Sequence, residues 1–259
     1  MTSPFDANLA LGQTLRVRDL VLMGLTPNEM ICIACDSSGG YGSKPNDVRA
    51  ASGEEVGFAV AKVPLMEVLA AGAQPRVLID NLCVEMHPSG LPILAGIREA
   101  CRATGYDFDI SGSDETNFPT AMTGVGTTVI ALLRRDLNRL ASSRAGDVLV
   151  AVGTPLGGSP ETADYRDSDP EVAGIQTVLD LLAIDGVHEL LPVGSRGIAY
   201  ECGELARTSD LVLDMVPDAP VDLQRSAGAS TAVVCSTTAE AAAALSRTLP
   251  HACVVGYLG

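Results

Sequence analysis

The run RVLIDNLCV, residues 76–84, restricts the fold of this chain more than any other stretch. Its length and apolar character read as a central strand, yet it carries an acid in its middle. Burying an unpaired carboxylate is costly, so Asp80 needs a cation, an arginine or a solvent-exposed turn beside it. A central strand also needs packed layers around it. Only 3% of residues are aromatic and Trp is absent, so Val, Leu, Ile and Ala must build the core. That suits an α/β protein with closely packed layers.

Strand and helix signals alternate along the rest of the chain. Residues 20–24 and 30–35 read as a hairpin around Pro27-Asn28. Ser52-Gly53-Glu54-Glu55 has capping-box spacing and opens a helix to about Ala71, kinked at Pro64 and stopped at Gly72. A second helix over 89–104 ends at Gly105. The polar ISGSDETNFPT reads as a loop, and 124–133 as a strand. The basic stretch Arg134 to Arg144 places a domain boundary near Ser143. A second unit starts with the strand DVLVAVG, followed by an acidic, Pro/Gly-rich loop at about 157–171, a candidate lid. Then come a helix over 171–184, HELLPVGSRG as loop and turn, a helix, the strand TAVVC, an Ala-rich helix opened by capping-box spacing at Thr237–Glu240, and a final strand CVVGYL. The expectation is an α/β (α+β) fold in two subdomains, 1–143 and 144–259.

Net charge is −15. That argues against nucleic-acid binding through phosphate neutralisation and against a polybasic membrane contact. Nucleotide binding stays open, because a divalent cation bridges carboxylates to phosphate oxygens. MTSPFDANLA does not read as a signal peptide, and no apolar run is long enough to span a bilayer. Seven scattered cysteines read as reduced thiols of a cytoplasmic protein. Cys32 and Cys35 would point to opposite faces of a strand, which opposes a redox or zinc reading of C-x-x-C.

The chemistry candidates are acids that interrupt apolar runs or Gly-rich loops. Asp36 ends an apolar strand and opens CDSSGGYGSKPND, a loop with Gly39, Gly40, Gly42 and Lys44. Glu67 lies on the apolar helix VPLMEVLAAG. Asp80 lies in the strand, and Asp114 and Glu115 lie in a loop. Taken singly, each has an ordinary explanation as a solvated carboxylate. Brought together, they would repel one another and make Mg²⁺, an oxygen-seeking ion, the natural partner. The opening loop is not a Walker A motif, because Pro45 follows Lys44 and offers no N–H. GVGTTV lacks the third glycine of a dinucleotide fingerprint. His87 is a candidate acid or base; His188 reads as structural and His251 as a surface residue. Gly194-Ser195-Arg196-Gly197 precedes a helix, where backbone N–H groups hold a substrate oxygen or serve as a plain cap.

The order of these features resembles the superfamily of aminoimidazole ribonucleotide synthetase, selenophosphate synthetase and thiamine-monophosphate kinase (PurM-like). Asp36 to Lys44 resembles its Asp-Gly-x-Gly-x-Lys loop with inserted residues. Gly72-Ala73-Gln74-Pro75 matches its Gly-Ala-x-Pro turn, while Met66-Glu67 replaces an acidic pair. Asp80 matches an inner-strand Asp. Gly112-Ser113-Asp114-Glu115-Thr116 resembles its Gly-Gly-Asp-Thr or Gly-Gly-Glu-Thr loop, leaving either Asp114 or Glu115 as the counterpart. PLGGSPETAD stands where the synthetases have Gly-x-His-Ser-Asn-Gly. CDSSGG, LCVEMHPSG, LPVGSRGIAYE and RSAGAST look most like the α-ribazole kinase branch of cobalamin salvage.

The resemblance implies a homodimer whose N-terminal sheets pair into a barrel, and an ATP site in the cleft closed by the C-terminal domain. It implies Asp36, Asp80 and Asp114 as Mg²⁺ ligands, with Glu115 and Glu67 as further or substitute ligands. It implies Lys44, Gly39, Gly40, Gly42 and Thr116 near the ATP phosphates, Asp80, Asp114 and Lys44 in catalysis, and Ser195, Arg196 and Gly197 on the nucleoside side. The implied activity is transfer of the ATP γ-phosphoryl group to the 5'-hydroxyl of α-ribazole. Another enzyme of the superfamily, or a non-catalytic nucleotide-binding protein, are the alternatives.

Overall fold

The computed structural model describes residues 9–157, 169–249 and 251–259. The expected 157–171 loop lies largely outside them. The chain first forms β1 (Thr14–Val17), β2 (Leu20–Thr26), β3 (Glu29–Gly39) and the short β4 (Tyr41–Gly42) and β5 (Arg49–Ala50). Then come α1 (Gly53–Ala70), β6 (Gln74–Leu82), α2 (Leu91–Ala103), β7 (Asp109–Ser113) and β8 (Gly124–Arg134). After a linker follow β9 (Val148–Gly153), α3 (Ile175–Leu182), β10 (Val187–Pro192), α4 (Gly197–Thr208), β11 (Leu213–Met215), β12 (Ala232–Thr237), α5 (Ala239–Thr248) and β13 (Ala252–Leu258).

Two sheets result. The first runs β1-β2-β3-β8-β6-β7, antiparallel except for the parallel β6/β7 pair. The second runs β10-β12-β9-β13-β11 and is antiparallel throughout. In the first sheet, alternate residues such as Cys32, Ala34, Leu78 and Val129 are buried with α1 and α2. The other face carries Val21, Met23, Ile31, Ile33, Ile79 and Ile130, all half-buried. In the second sheet β9 and β12 are buried at every position, because α3 and α5 cover one side and α4 the other. One core cluster joins Leu22, Leu65 and Val129 of the first sheet's layer to Val150, Val178 and Cys235 of the second.

Local chemistry accounts for most boundaries. The Ser52 hydroxyl accepts from Glu55 N (3.2 Å) while Glu55 Oε2 accepts from Ser52 N (2.8 Å), a complete capping box that starts α1. Gly72, at φ 83°, stops the helix in the left-handed region. At α5 the cap is Thr238, one residue later than the T-x-x-E spacing suggests, and its hydroxyl accepts from Ala241 N. Three expectations fail. Cys35–Gly39, expected as the start of the Gly-rich loop, continue β3 in register with Gly124–Thr128. The other two failures lie at sheet edges. Residues 109–113 are strand β7, paired with Val77–Asn81, although DISGS has no apolar alternation. HELLP is likewise strand β10, not loop. Both are edge strands, whose pairing partner supplies what their own sequence does not signal.

The linker is sewn to β10. Glu189, 1% exposed, takes the Arg18 guanidinium Nη2 at 2.6 Å and Ala141 N at 2.8 Å on one oxygen. Its other oxygen takes Ser143 N at 3.1 Å and Ser143 Oγ at 2.7 Å. His188 Nδ1 meets the Asp147 carboxylate at 2.9 Å, in line with its expected structural role. Breaking a buried ion pair by removing one partner typically costs ~3–5 kcal/mol. Glu189→Ala should lose about that much in urea denaturation; a loss under ~1 kcal/mol would refute the central role given to this carboxylate.

Candidate functional site

The sheet register sets the site. Asp36 on β3 pairs with Thr127 on β8, Thr127 with Asp80 on β6, and Asp80 with Gly112 on β7. Residues paired in this way lie on one face, so both acids share the helix-covered face, with Thr127 between them. Their backbones are two strand spacings apart, about 10 Å. Thr127 Oγ1 donates to Val60 O (2.7 Å) and so anchors α1 over the middle of this row. Gly112 makes room for Asp80: a Cβ there would overlap the Asp80 carboxyl. Burial pushes the Asp80 carboxyl up, Arg98 pulls it down, and Asp114 raises it further. Burial likewise raises Asp36, against the Ser37 N–H.

The loops after β3, β6 and β7 meet at one end of this sheet, and they are tied together. Lys44 Nζ lies 2.6 Å from Glu85 Oε1 and 3.2 Å from Thr120 O, and Thr120 Oγ1 donates to Glu85 Oε2 at 2.7 Å. These contacts hold Glu85 at about 2, far below the usual carboxylate range. Asp47 accepts from Lys44 N, Thr123 N and Thr123 Oγ1, each at 2.7 Å. Burial pushes against it, but the Thr123 and Lys44 bonds outweigh burial and keep the group low. Lys44 is thus engaged as a clasp, 8% exposed, instead of standing free for a phosphate. Gly42 packs against Thr123 Oγ1 and Asp47, where any side chain would collide, so its small size serves the loop itself. Gly40 takes φ 72° at the turn out of β3, and only Gly39 faces open space. Glu115 Oε1 accepts from Asn117 N (2.6 Å) and Phe118 N (3.3 Å), which lowers its pKa and ties it to its own turn. Thr116 is exposed beside it, and Asp114 is the member of the pair that acts on Asp80.

A second group of acids lies where the two sheets meet. Glu67 on α1 is half-buried, but its Oε2 is fully buried and has no hydrogen-bond partner. Burial, then Asp19, Asp36 and Glu201, push it up to about 8. Glu201 on α4 is raised to about 7, mainly by burial. Asp19 sits in the two-residue turn between β1 and β2, and Glu201 accepts from Gly194 N (3.3 Å). Sequence reading missed Asp19, Glu85 and Glu201; the acid in the short turn VRDL, between two strand-like runs, was the available signal for Asp19. Ser195 and Arg196 are exposed, and Arg196 stacks on Tyr200 at 4.6 Å. Gly197, at φ 80°, packs against the backbone of residues 223–225, so its lack of a side chain is structural. His87 stands next to the loop cluster at the start of the turn before α2.

Among the described residues no three His, Cys, Asp or Glu side chains close on a metal by themselves. The donors present are nonetheless suited to Mg²⁺, which takes oxygen ligands and usually completes its shell with water and phosphate. An orphaned, buried Glu67 oxygen beside Asp19 and Asp36 fits a cation.

No family model matches the chain, and no curated protein matches it. Solved structures do. AaThiL complexed with AMPPCP and TMP superposes with a TM-score of 0.64 at 15% identity, over 93% of this chain and 84% of that one. E. coli HypE, a hydrogenase maturation protein, gives 0.63 at 18%, over 87% and 79%. Thiamine-monophosphate kinase from Stenotrophomonas maltophilia K279a gives 0.62 at 17%, over 95% and 88%. The fold is PurM-like. At such identities the likeness establishes architecture, and chemistry must come from the residues. No helix among the described residues is long and apolar enough to cross a membrane.

A carboxyl raised from 4.5 to about 8 by folding binds a proton that the unfolded chain has released. In the metal-free protein, Glu67 therefore makes stability fall as pH rises from about 4.5 to about 8, with the full penalty above that window. Glu67→Gln should flatten this decline in pH-dependent denaturation, leaving the smaller part due to Glu201. An unchanged slope would show that Glu67 titrates normally.

Proposed function

We propose that this protein is an ATP-dependent phosphotransferase acting on the hydroxyl of a small nucleoside-like molecule, with α-ribazole the acceptor. The observation that carries the reading is the convergence of acids around α1: buried Asp80 and half-buried Asp36 in one cross-strand row, with half-buried Glu67, one of whose oxygens is buried without a hydrogen-bond partner, and the exposed Asp19 at the seam. Acids gathered in this way are suited to a ligand that brings its own cation, as magnesium-bound ATP does. The PurM-like fold supports this, since one neighbour is a thiamine-monophosphate kinase and another was solved with an ATP analogue. The phrases shared with the α-ribazole kinase branch support the finer choice of acceptor.

In this reading Asp36, Asp80 and Asp114 at the loop end, with Glu67 and Asp19 at the seam, would together face Mg²⁺ brought in on the phosphates. A bound Mg²⁺ supplies charge neutralisation for the phosphates. The bond from the terminal phosphorus to its bridging oxygen breaks as one forms to the alcohol oxygen. ADP leaves, and the alcohol proton passes to solvent or to a facing carboxylate. Such transfer depends on positioning and charge stabilisation more than on covalent help from the protein. Lys44 contributes by fixing the Gly39–Gly42 loop through Glu85 and Thr120. Ser195 and Arg196, exposed at the start of α4, face the nucleoside side.

We also propose a homodimer. The half-buried aliphatic face of Val21, Met23, Ile31, Ile33, Ile79 and Ile130 is a continuous sheet surface of the kind that packs against its own copy.

Incubation with Mg²⁺, ATP and α-ribazole should yield ADP and α-ribazole phosphate in equal amounts by mass spectrometry. No product with α-ribazole, thiamine phosphate or other small alcohols would end the kinase reading. Asp36→Asn and Asp80→Asn should each lower transfer at least ~100-fold, since removing charge stabilisation of this type costs ~3 kcal/mol or more. In light scattering the protein should have twice the chain mass, and Ile33→Asp should make it monomeric. A monomeric wild type would remove the dimer.

A further inference from the structure

Arg18 is the first residue of the two-residue turn between β1 and β2, and its φ is 54°. Hairpin turns favour glycine at such a position, so a long cationic side chain stands where the backbone prefers none. The side chain is only 5% exposed. Its Nη2 reaches Glu189 and Thr208, but Nε and Nη1 are buried without a hydrogen-bond partner. Buried guanidinium donors are rarely left so, because each lost partner is costly. Arg18 is one of the residues that line a cleft of about 460 Å³ between the hairpin turn and α4. Arg16, Arg18 and Asp19 form one wall, and Tyr200, Glu201 and Arg207 the other. Arg207 is neutralised by Glu204 (2.7 Å). Asp19 is the next residue in the chain, and it acts electrostatically on Glu67.

We propose that Arg18 is a phosphoryl-contacting residue, its Nε and Nη1 donating to oxygens of a phosphate chain that enters this cleft. The proposal rests on the kinase reading for which phosphate is transferred, and on the cleft alone for the class of ligand. A guanidinium presents planar, paired donors that match phosphate oxygens. Mixed charge on the walls fits a cation–phosphate pair better than a free anion. The acid of Asp19 takes the side of the cation, and Arg18 that of the oxygens. The Glu189 bond orients the guanidinium, leaving Nε and Nη1 for the ligand.

The probe is inorganic tripolyphosphate in isothermal titration, with and without Mg²⁺. Wild type should bind it, more tightly with Mg²⁺. Arg18→Lys keeps a charge for Glu189 but lacks the fork, and should bind at least 10-fold more weakly while melting as a folded protein. The paired variant Arg18→Gln with Glu189→Gln strands no buried charge and should lose binding likewise. Adding inorganic phosphate or the acceptor phosphate separately distinguishes an ATP-side from an acceptor-side phosphoryl group by which one competes. If either folded variant binds like wild type, or wild type binds no tripolyphosphate, Arg18 has no such role. If the variants bind normally while wild type transfers phosphate, the Arg18 assignment falls and the kinase reading stands. Tripolyphosphate binding that depends on Arg18 in a protein without any transfer sinks the kinase reading and keeps the site.

Discussion

The carboxylate of Glu189 fixes how the two sheets of this protein meet. It is almost wholly buried, and each oxygen has two donors: Arg18 and Ala141 on one, the Ser143 amide and hydroxyl on the other. Those donors come from the β1–β2 turn and from the linker, while Glu189 itself belongs to β10. Arg18 extends the connection to Thr208, at the end of α4. A buried ion is stabilising only when its lone pairs are satisfied, and here they are. Ala141 takes φ 53° to present its N–H, a conformation unusual for a residue with a Cβ. The cleft between the hairpin turn and α4 exists in its present shape because this junction sets the distance between its walls.

The first sheet contributes a different kind of constraint. Pairing in register gives Asp36, Thr127 and Asp80 a common face, and the Thr127 hydroxyl pins α1 at Val60 over the middle of that row. Glu67 follows Val60 by two turns of helix, about 10 Å along its axis. One helix therefore places one acid at the seam and sits between two others at the loop end. The acids form a band of negative charge too wide for a single ion held by protein alone. A ligand carrying both cation and extended phosphates matches that width.

The sequence reveals some of this and conceals the rest, for physical reasons. Capping boxes, stop glycines and long apolar runs are local, so α1, β6, β8 and β9 were legible. DISGS and HELLP were not, because an edge strand borrows its order from its partner, and neither segment alternates polar with apolar. Asp36, Asp80 and Asp114 stood out as acids in apolar or glycine-rich surroundings, and the sheet does align the first two. The clasp of Lys44 with Glu85 spans 41 positions, and the approach of Glu201 to Glu67 crosses from α4 to α1. No spacing rule reaches so far. Gly42 and Gly197 looked like ligand-approach glycines, yet each packs against its own protein. A glycine motif marks close approach without saying what approaches.

The energetics of the site follow from the same arrangement. Glu67, Asp36, Asp80 and Glu201 are all raised mainly by burial, so folding works against their charged forms. A protein selected for stability alone would pair them with arginine or replace them by apolar residues. Arg18 is bonded to Glu189 and Arg207 to Glu204, while Arg98 draws Asp80 down and Arg18 draws Glu201 down, in each case too little to offset burial. The proposed Mg²⁺-bound nucleotide would supply the remaining positive charge. Because such a partner binds the folded form only, it returns as ligand-induced stability what the empty site gives up. The fully bonded Glu189 junction and the core shared by both sheets supply the reserve that lets the empty site persist.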